Sequence, residues 1–242
     1  MTKIFLLLLC LPLLTTAQNK NVTNATRVFP KADKIQEFEK AIGEHAQKYH
    51  KGDWSWRVFS IETGPDAGGY QFVEGPSTWA AFDGRGDLGK EHTDDWSKNV
   101  SVYLTERTVN SYAVAIDSLS TTPVTQFTDK IMIAHVYPKV GYGPEYIEHL
   151  RKIKKTWQAG MQTVVVYQLV ASGRNGYYIV YRLKDGLKEF EDGYRKNFKE
   201  RYETANGAGS YSGYLNNQRT IVNDETWSEI LVLRPKLSSI MQ

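Results

Sequence analysis

Cysteine is all but absent from this chain: its 242 residues hold one, Cys10. Long apolar runs are equally scarce, and the one present, residues 4–14, contains that cysteine. Lys3 precedes the run and Thr15, Thr16 and Ala17 follow it. This is the pattern of a secretory leader, with cleavage expected after Ala17. The run falls short of the roughly 20 apolar residues that a spanning helix requires, so stable membrane insertion is not expected. Removal of the leader takes the cysteine with it. Disulfides, thiol nucleophiles and thiolate metal ligands are then excluded from the mature chain. A dominant charge sign is missing too: 30 Lys and Arg stand against 27 Asp and Glu. No basic stripe marks a nucleic-acid partner. The densest basic cluster, Arg151, Lys152, Lys154 and Lys155, shares a predicted helix with apolar Leu150, Ile153 and Trp157 and reads as its solvated face. No G-x-S-x-G, P-loop or dinucleotide fingerprint occurs. The expectation is a secreted or periplasmic protein that relies on a packed core.

What is present is a repetition. Val28-Phe29-Pro30-Lys31 returns as Val136-Tyr137-Pro138-Lys139, 108 positions later. At the same offset Phe38 becomes Tyr146, Ile42 becomes Leu150, Gly52 becomes Gly160 and Val58 becomes Val166. Gly69-Tyr70 returns as Gly176-Tyr177, and Arg107-Thr108-Val109 as Arg219-Thr220-Ile221. A period this long lies beyond the roughly 20–50 residues of solenoid repeats and indicates a duplicated unit large enough to own a core.

Each copy reads as strand, helix, strand, strand, helix, strand. In the first, Ile35, Phe38, Ile42, Ala46 and Tyr49 share one helical face. Residues 54–62 and 70–74 form a hairpin about a Gly-rich turn, a helix capped by Ser77 follows, and residues 102–116 close the unit. In the second, a strand over 131–137 precedes a helix over 144–157, then a hairpin of 163–170 with 177–182. One long helix running from Leu187 to Tyr202 and a strand at 230–233 complete it. Residues 18–26 are expected to be a disordered lead-in and 118–126 a linker. The two units then span 27–117 and 127–235, leaving 236–242 as a tail.

This βαββαβ order, occurring twice, is the ferredoxin-like order and resembles the dimeric α+β barrel superfamily. That group includes antibiotic-biosynthesis monooxygenase-like, NIPSNAP-like and chlorite-dismutase-like proteins. The resemblance covers residues 27–234 and implies an α+β fold in which two tandem units build one barrel around an interior pocket. It further implies a cofactor-free oxygenase or a haem-handling protein, with haem requiring His45 or His135 as axial ligand. Fold alone does not confer function.

The candidate site residues follow from strand alternation. Ile131, Ile133, His135 and Tyr137 share one face, and Arg27 and Phe29 are the repeat equivalents of His135 and Tyr137. If that face lines the barrel, Arg27, His135 and Tyr137 are polar groups in an aromatic pocket, the usual setting of a small-molecule site. Trp56 and Arg57 lie on opposite faces of their strand, and the pattern does not say which is interior. His45 stands on the apolar face of the first helix where the second copy has Ile153, whereas His149, one position off the Leu150 face, is expected to be exposed. Glu91, His92, Asp94 and Asp95 offer metal-ligand atoms, but any metal partner must come from elsewhere in the chain. No acid–base or nucleophilic constellation accompanies these residues. The reading is a small apolar or aromatic ligand in a binding or interaction protein; the alternative is a monooxygenase-like or haem-handling enzyme using the barrel pocket.

Overall fold

The computed structural model describes residues 19–239; the leader expectation lies outside the described residues. Eight strands close into one antiparallel barrel: β1 (Val22–Pro30), β2 (Arg57–Ile61), β3 (Tyr70–Ser77), β4 (Leu104–Ala115), β5 (Lys130–Val136), β6 (Val164–Val170), β7 (Tyr177–Arg182) and β8 (Trp227–Leu233). Their order around the barrel is β1-β3-β2-β8-β5-β7-β6-β4. Each copy therefore contributes a sheet with its strands in the same arrangement, β4-β1-β3-β2 and β8-β5-β7-β6. The two sheets join at two seams. Phe59 and Ile61 of β2 face Leu233 and Leu231 of β8, and Tyr112 and Val114 of β4 face Val170 and Gln168 of β6. The fold is α+β, two ferredoxin-like units in a single-chain barrel, and closure leaves no free sheet edge.

Among the described residues six α-helices pack outside: α1 (Ile35–Tyr49), α2 (Trp79–Asp83) and α3 (Lys90–Asp95) on the first sheet, α4 (Gly143–Ala159), α5 (Phe198–Asn206) and α6 (Tyr211–Ile221) on the second. Alternation along the strands separates three cores. Phe59, Ile61, Ile131, Ile133, Val165 and Tyr167 fill the barrel. Val58, Phe72, Phe38 and Ile42 pack between the first sheet and α1, and Val164, Val166, Leu150 and Trp157 between the second sheet and α4. The face of β2 that carries Arg57 is thus interior, and Trp56 faces the helices.

The repeated Gly-Tyr pairs have a packing cause. A Cβ on Gly69 would stand 2.7 Å from the Phe29 ring, and one on Gly176 would stand 2.6 Å from the Tyr137 ring. Each glycine lets an aromatic of the unit's first strand lie flat across the neighbouring strand, a cover that strengthens a weak strand position.

Several expectations are corrected. Residues 22–26 belong to β1, because Thr23 and Asn24, whose polarity suggested a lead-in, hydrogen-bond to the Ala113 and Ser111 carbonyls of β4. The segment 187–197 is not part of a long helix. It holds a 3₁₀ turn at Gly186–Phe190 and a left-handed Gly193 (φ +81°), and regular helix begins only at Phe198, capped by Asn197. Arg219–Ile221 ends α6, whereas Arg107–Val109 lies in β4, so that part of the apparent repeat has no structural counterpart. The cap of α2 is Thr78 and not Ser77. His149 is buried, since Asn217 and Gln218 of α6 reach its ring and Tyr214 stacks on it. The tail expected over 236–242 docks through its described part: Leu237 is buried and the Ser238 hydroxyl accepts from the Val58 amide.

Candidate functional site

The structure distributes the six candidate residues over three places. At one end of the barrel interior, Arg27 and His135, equivalent positions of the two copies, converge on Glu229 of β8. His135 Nε2 donates to Glu229 at 2.7 Å, and Arg27 bonds the same carboxylate through both terminal nitrogens and Asp66 at 2.7 Å. Burial disfavours the Arg27 charge, but Glu229 and Asp66 outweigh it and raise its pKa. Burial outweighs the pull of Glu229 on His135 and keeps the imidazole neutral. Trp227 stacks on His135 at 3.7 Å. The network is closed and satisfied, which is what buried ions require. Tyr137 caps this end, with Arg174 over its ring at 4.2 Å. The expected pocket around Arg27, His135 and Tyr137 is therefore a filled ionic core.

Arg57 lies further along the interior, beside a cavity of about 70 Å³. That is well below the roughly 300–1,000 Å³ of sites for drug-sized ligands.

The third place lies outside the barrel, between the first sheet and α1–α3. Here α2 and α3 are five and six residues long and leave a cleft of about 450 Å³. Trp56, Phe72 and Trp96 form its walls: Trp56 stacks on Phe72 at 4.8 Å, and Trp96 stands edge-on to both. Its lining holds His50 and His92, and His45 lies buried behind them. His45 and His50, from the last turn and C-cap of α1, are 1% and 2% exposed. Their Nε2 atoms face each other at 3.4 Å. His92 of α3 brings a third nitrogen, with one ligand atom of each imidazole within 4.8 Å of the others.

The other ring nitrogens are held from behind. His45 Nδ1 lies 2.7 Å from Asp95, and His50 Nδ1 lies 3.4 Å from both Glu74 and Arg85. Glu74 accepts from Trp56 Nε1 at 2.5 Å and from Arg85 at 2.6 Å. Burial pushes its pKa up, but His50, Trp56 and Arg85 more than reverse that and keep it ionised. Burial lowers all three imidazoles, His50 to about 4, so each offers a lone pair at neutral pH. Two polar atoms remain buried without a partner, His92 Nε2 and Arg85 Nε. Buried polar groups are nearly always paired, so two orphans in one cleft call for a ligand.

Imidazoles backed by carboxylates with their second nitrogens converging form the standard surroundings of a transition metal. Two nitrogens bonded to one tetrahedral ion at 2.0–2.1 Å stand about 3.3–3.4 Å apart, matching the His45–His50 separation. A direct hydrogen bond between the two rings would account for that contact alone and leave His92 Nε2 unsatisfied.

Haem does not fit the residues the resemblance assigned to it. His135 is committed to Glu229 beneath Trp227, and His45 Nε2 is buried 3.4 Å from His50 Nε2, behind the cleft lining, with no space for a macrocycle between them. His50, His92, Glu74, Arg85 and Trp96 were not among the candidates, although His92 and Asp95 stood in the stretch with metal-ligand atoms. Their partners lie more than 40 residues away in the chain, and no local spacing announces them.

No known protein family matches the chain, and no curated protein matches it by sequence. Solved structures do match its fold. An anthrone oxidase-like protein is 12% identical over 90% of this chain and 92% of its own, with a TM-score of 0.52. A candidate monooxygenase from Fusobacterium nucleatum is 14% identical over 88% and 91%, with a TM-score of 0.51. Chlorite dismutase from Candidatus Nitrospira defluvii is 6% identical over 90% and 93%, also with a TM-score of 0.51. These are dimeric α+β barrel proteins, and the likeness is one of fold.

Proposed function

We propose that this chain is a metal-dependent small-molecule protein whose ion is held by His45, His50 and His92 at the floor of the aromatic cleft. The observation that carries the reading is the convergence of three neutral imidazole nitrogens, two backed by carboxylates and the third buried without a partner. Imidazole ligands suit zinc, copper, nickel or iron. Three protein ligands leave a coordination position open, the arrangement of catalytic rather than structural sites. Such an ion supplies Lewis acidity or, if redox-active, electron transfer at the open position.

The chain's own groups define what the cleft accepts. Trp56, Phe72 and Trp96 provide flat apolar walls, and Arg85 Nε is a free donor inside. A planar aromatic molecule carrying a carboxylate or phenolate satisfies both. Asp95 and Glu74 fix the imidazole orientations and remain positioning residues. The names of the fold neighbours, an anthrone oxidase-like protein and a chlorite dismutase, lean toward oxidation as the reaction class. The leader read in residues 1–17 supports action outside the cytoplasm.

The test is metal titration of the chelator-stripped protein with zinc and with cobalt, followed by calorimetry and by the visible spectrum of the cobalt form. One ion per chain with a tetrahedral cobalt spectrum, lost in His92→Ala, is expected. Binding no tighter than that of a His45→Ala His92→Ala variant would refute the assignment.

A further inference from the structure

The barrel interior contains a second cationic place that differs from the Arg27 end in one respect: its arginines have no carboxylate. Arg57 of β2 and Arg182 of β7 both point inward and line the 70 Å³ cavity, whose walls include neither Asp nor Glu. Arg182 is 4% exposed. Its Nη2 donates to the Val124 carbonyl at 2.9 Å and lies 3.4 Å from the Tyr167 hydroxyl, while its Nε and Nη1 are buried without any partner. Arg57 donates once, to the Gly75 carbonyl at 2.8 Å. The Phe127 ring lies against both guanidinium groups, with its centre 3.4 Å from Arg57 and 4.7 Å from Arg182. An aromatic face softens a buried cation but does not accept the in-plane N–H groups.

Two guanidinium groups side by side in an apolar barrel are unfavourable unless an anion joins them. The burden shows in Arg57, whose pKa falls to about 10 through burial and the neighbouring Arg182 charge. A buried unsatisfied donor on a charged group costs more than its hydrogen bond returns, so a native fold retains such a group for a partner. The Arg27 end shows how this barrel neutralises a structural arginine: Glu229 and Asp66 are built in. At Arg57 and Arg182 the neutralising charge is left to come from outside.

We infer that the barrel interior binds a small oxygen anion, a short carboxylate or a tetrahedral oxoanion, between Arg182 and Arg57. Size sets the class. At about 10–15 Å³ per water-sized atom, the cavity accommodates about five atoms, which admits acetate or phosphate and excludes the aromatic molecule assigned to the cleft. The unpartnered Nε and Nη1 of Arg182 flank Nη2 on the two donor edges of the guanidinium, so each edge keeps one N–H for an anion oxygen. An adjoining pocket of about 190 Å³ shares Arg57, Phe127 and Thr128 with the cavity and carries Asp129, the acidic group on its border, which makes no ion pair with Arg57. Phe127 is 38% exposed, in a segment without helix or strand, and stands at the junction between that pocket and the cavity.

Calorimetric titration of the full mature chain with sodium phosphate and with sodium acetate, each against sodium chloride at equal ionic strength, tests this. Saturable binding of one of the two, one anion per chain, is expected, and which one binds identifies the class. In Arg182→Met the affinity should fall at least about tenfold, the loss of one charge-assisted hydrogen bond. The same variant should melt higher than wild type in anion-free buffer, because it removes an unpaired buried charge. Should Arg182→Met fail to fold, Arg57→Gln, at the half-buried position, must show the affinity loss instead. Binding of neither anion above chloride overturns the inference, as does binding that survives both substitutions. An Arg85→Gln His92→Ala variant must retain anion binding; loss there would place the anion in the cleft and equally overturn it.

Discussion

The two halves of this molecule put different things in the same place. Between α4 and the second sheet, Ile153, Val164 and Tyr181 meet Trp157 and Tyr202 in a continuous apolar core. Between α1 and the first sheet, the equivalent positions carry His45, Trp56 and Glu74. The covering helices differ in step: α5 and α6 are nine and eleven residues long, whereas α2 and α3 have five and six. Helices that short cannot cover a sheet face, and polar groups beneath them retain access to a ligand. One copy fills this space with apolar side chains and the other with titratable and hydrogen-bonded ones. A duplicated chain thus contains its own control, and the divergence between copies marks the site.

The comparison can be broken from the packed side first. Trp157, 2% exposed, should cost about 3–5 kcal/mol when replaced by alanine, measured by urea denaturation, with metal affinity in the first half unchanged. A parallel fall in metal affinity would show that the halves are coupled and not divided in role. Converting the first half toward the second, His45→Ile should lower metal affinity by more than about a hundredfold, since loss of an outer partner alone costs 10–100-fold. The melting temperature should change little, because the isoleucine reproduces the second half's packing; undiminished metal affinity would remove His45 from the ligand set. Asp95→Asn should weaken metal binding by about tenfold through misorientation of His45, and an unchanged affinity would deny Asp95 its positioning role.

Acid sharpens the contrast with a smaller effect. All five histidines have pKa values depressed by burial. The folded state holds them neutral while the unfolded chain takes up protons below its ordinary pKa of about 6.5, so stability is complete above that pH and lost as pH falls toward the folded values. His149, lowered to about 4, belongs to the packed half and touches no metal ligand. In His149→Gln the loss between neutral pH and pH 5 should shrink by roughly 1–2 kcal/mol. Parallel pH profiles for variant and wild type would contradict the assignment.

The architecture was legible because it is written in periods. Alternation placed Ile131, Ile133 and His135 on one face, and repetition related Arg27 to His135, which the structure joins through Glu229. Alternation cannot say which face is interior, because a barrel with helices outside buries both; Arg57 and Trp56 stayed undecided for that reason. The site was legible in separate pieces, through Trp56, through the stretch holding His92 and Asp95, and through His45, the polar exception at an Ile153 position. His50 lies just past the helix end and His92 on a segment broken by glycines, where no periodicity carries information. Arg182 is the last residue of an aromatic strand, a position where a charged side chain ordinarily meets solvent, so the sequence pattern does not mark it.

The seam between β2 and β8 has a consequence for biogenesis. Ser60 and Val232 are 172 positions apart, so the first sheet waits with one edge of β2 unpaired until nearly the whole polypeptide has been synthesised. β8 also delivers Glu229, the carboxylate that Arg27 and His135 share. A chain interrupted before Trp227 would retain two sticky strand edges and an Arg27 paired only with Asp66, which Arg107 shares, the features by which unfinished proteins aggregate or are cleared. The last strand therefore serves as a completeness check: barrel closure and charge neutrality arrive in the same step, and only in a finished molecule.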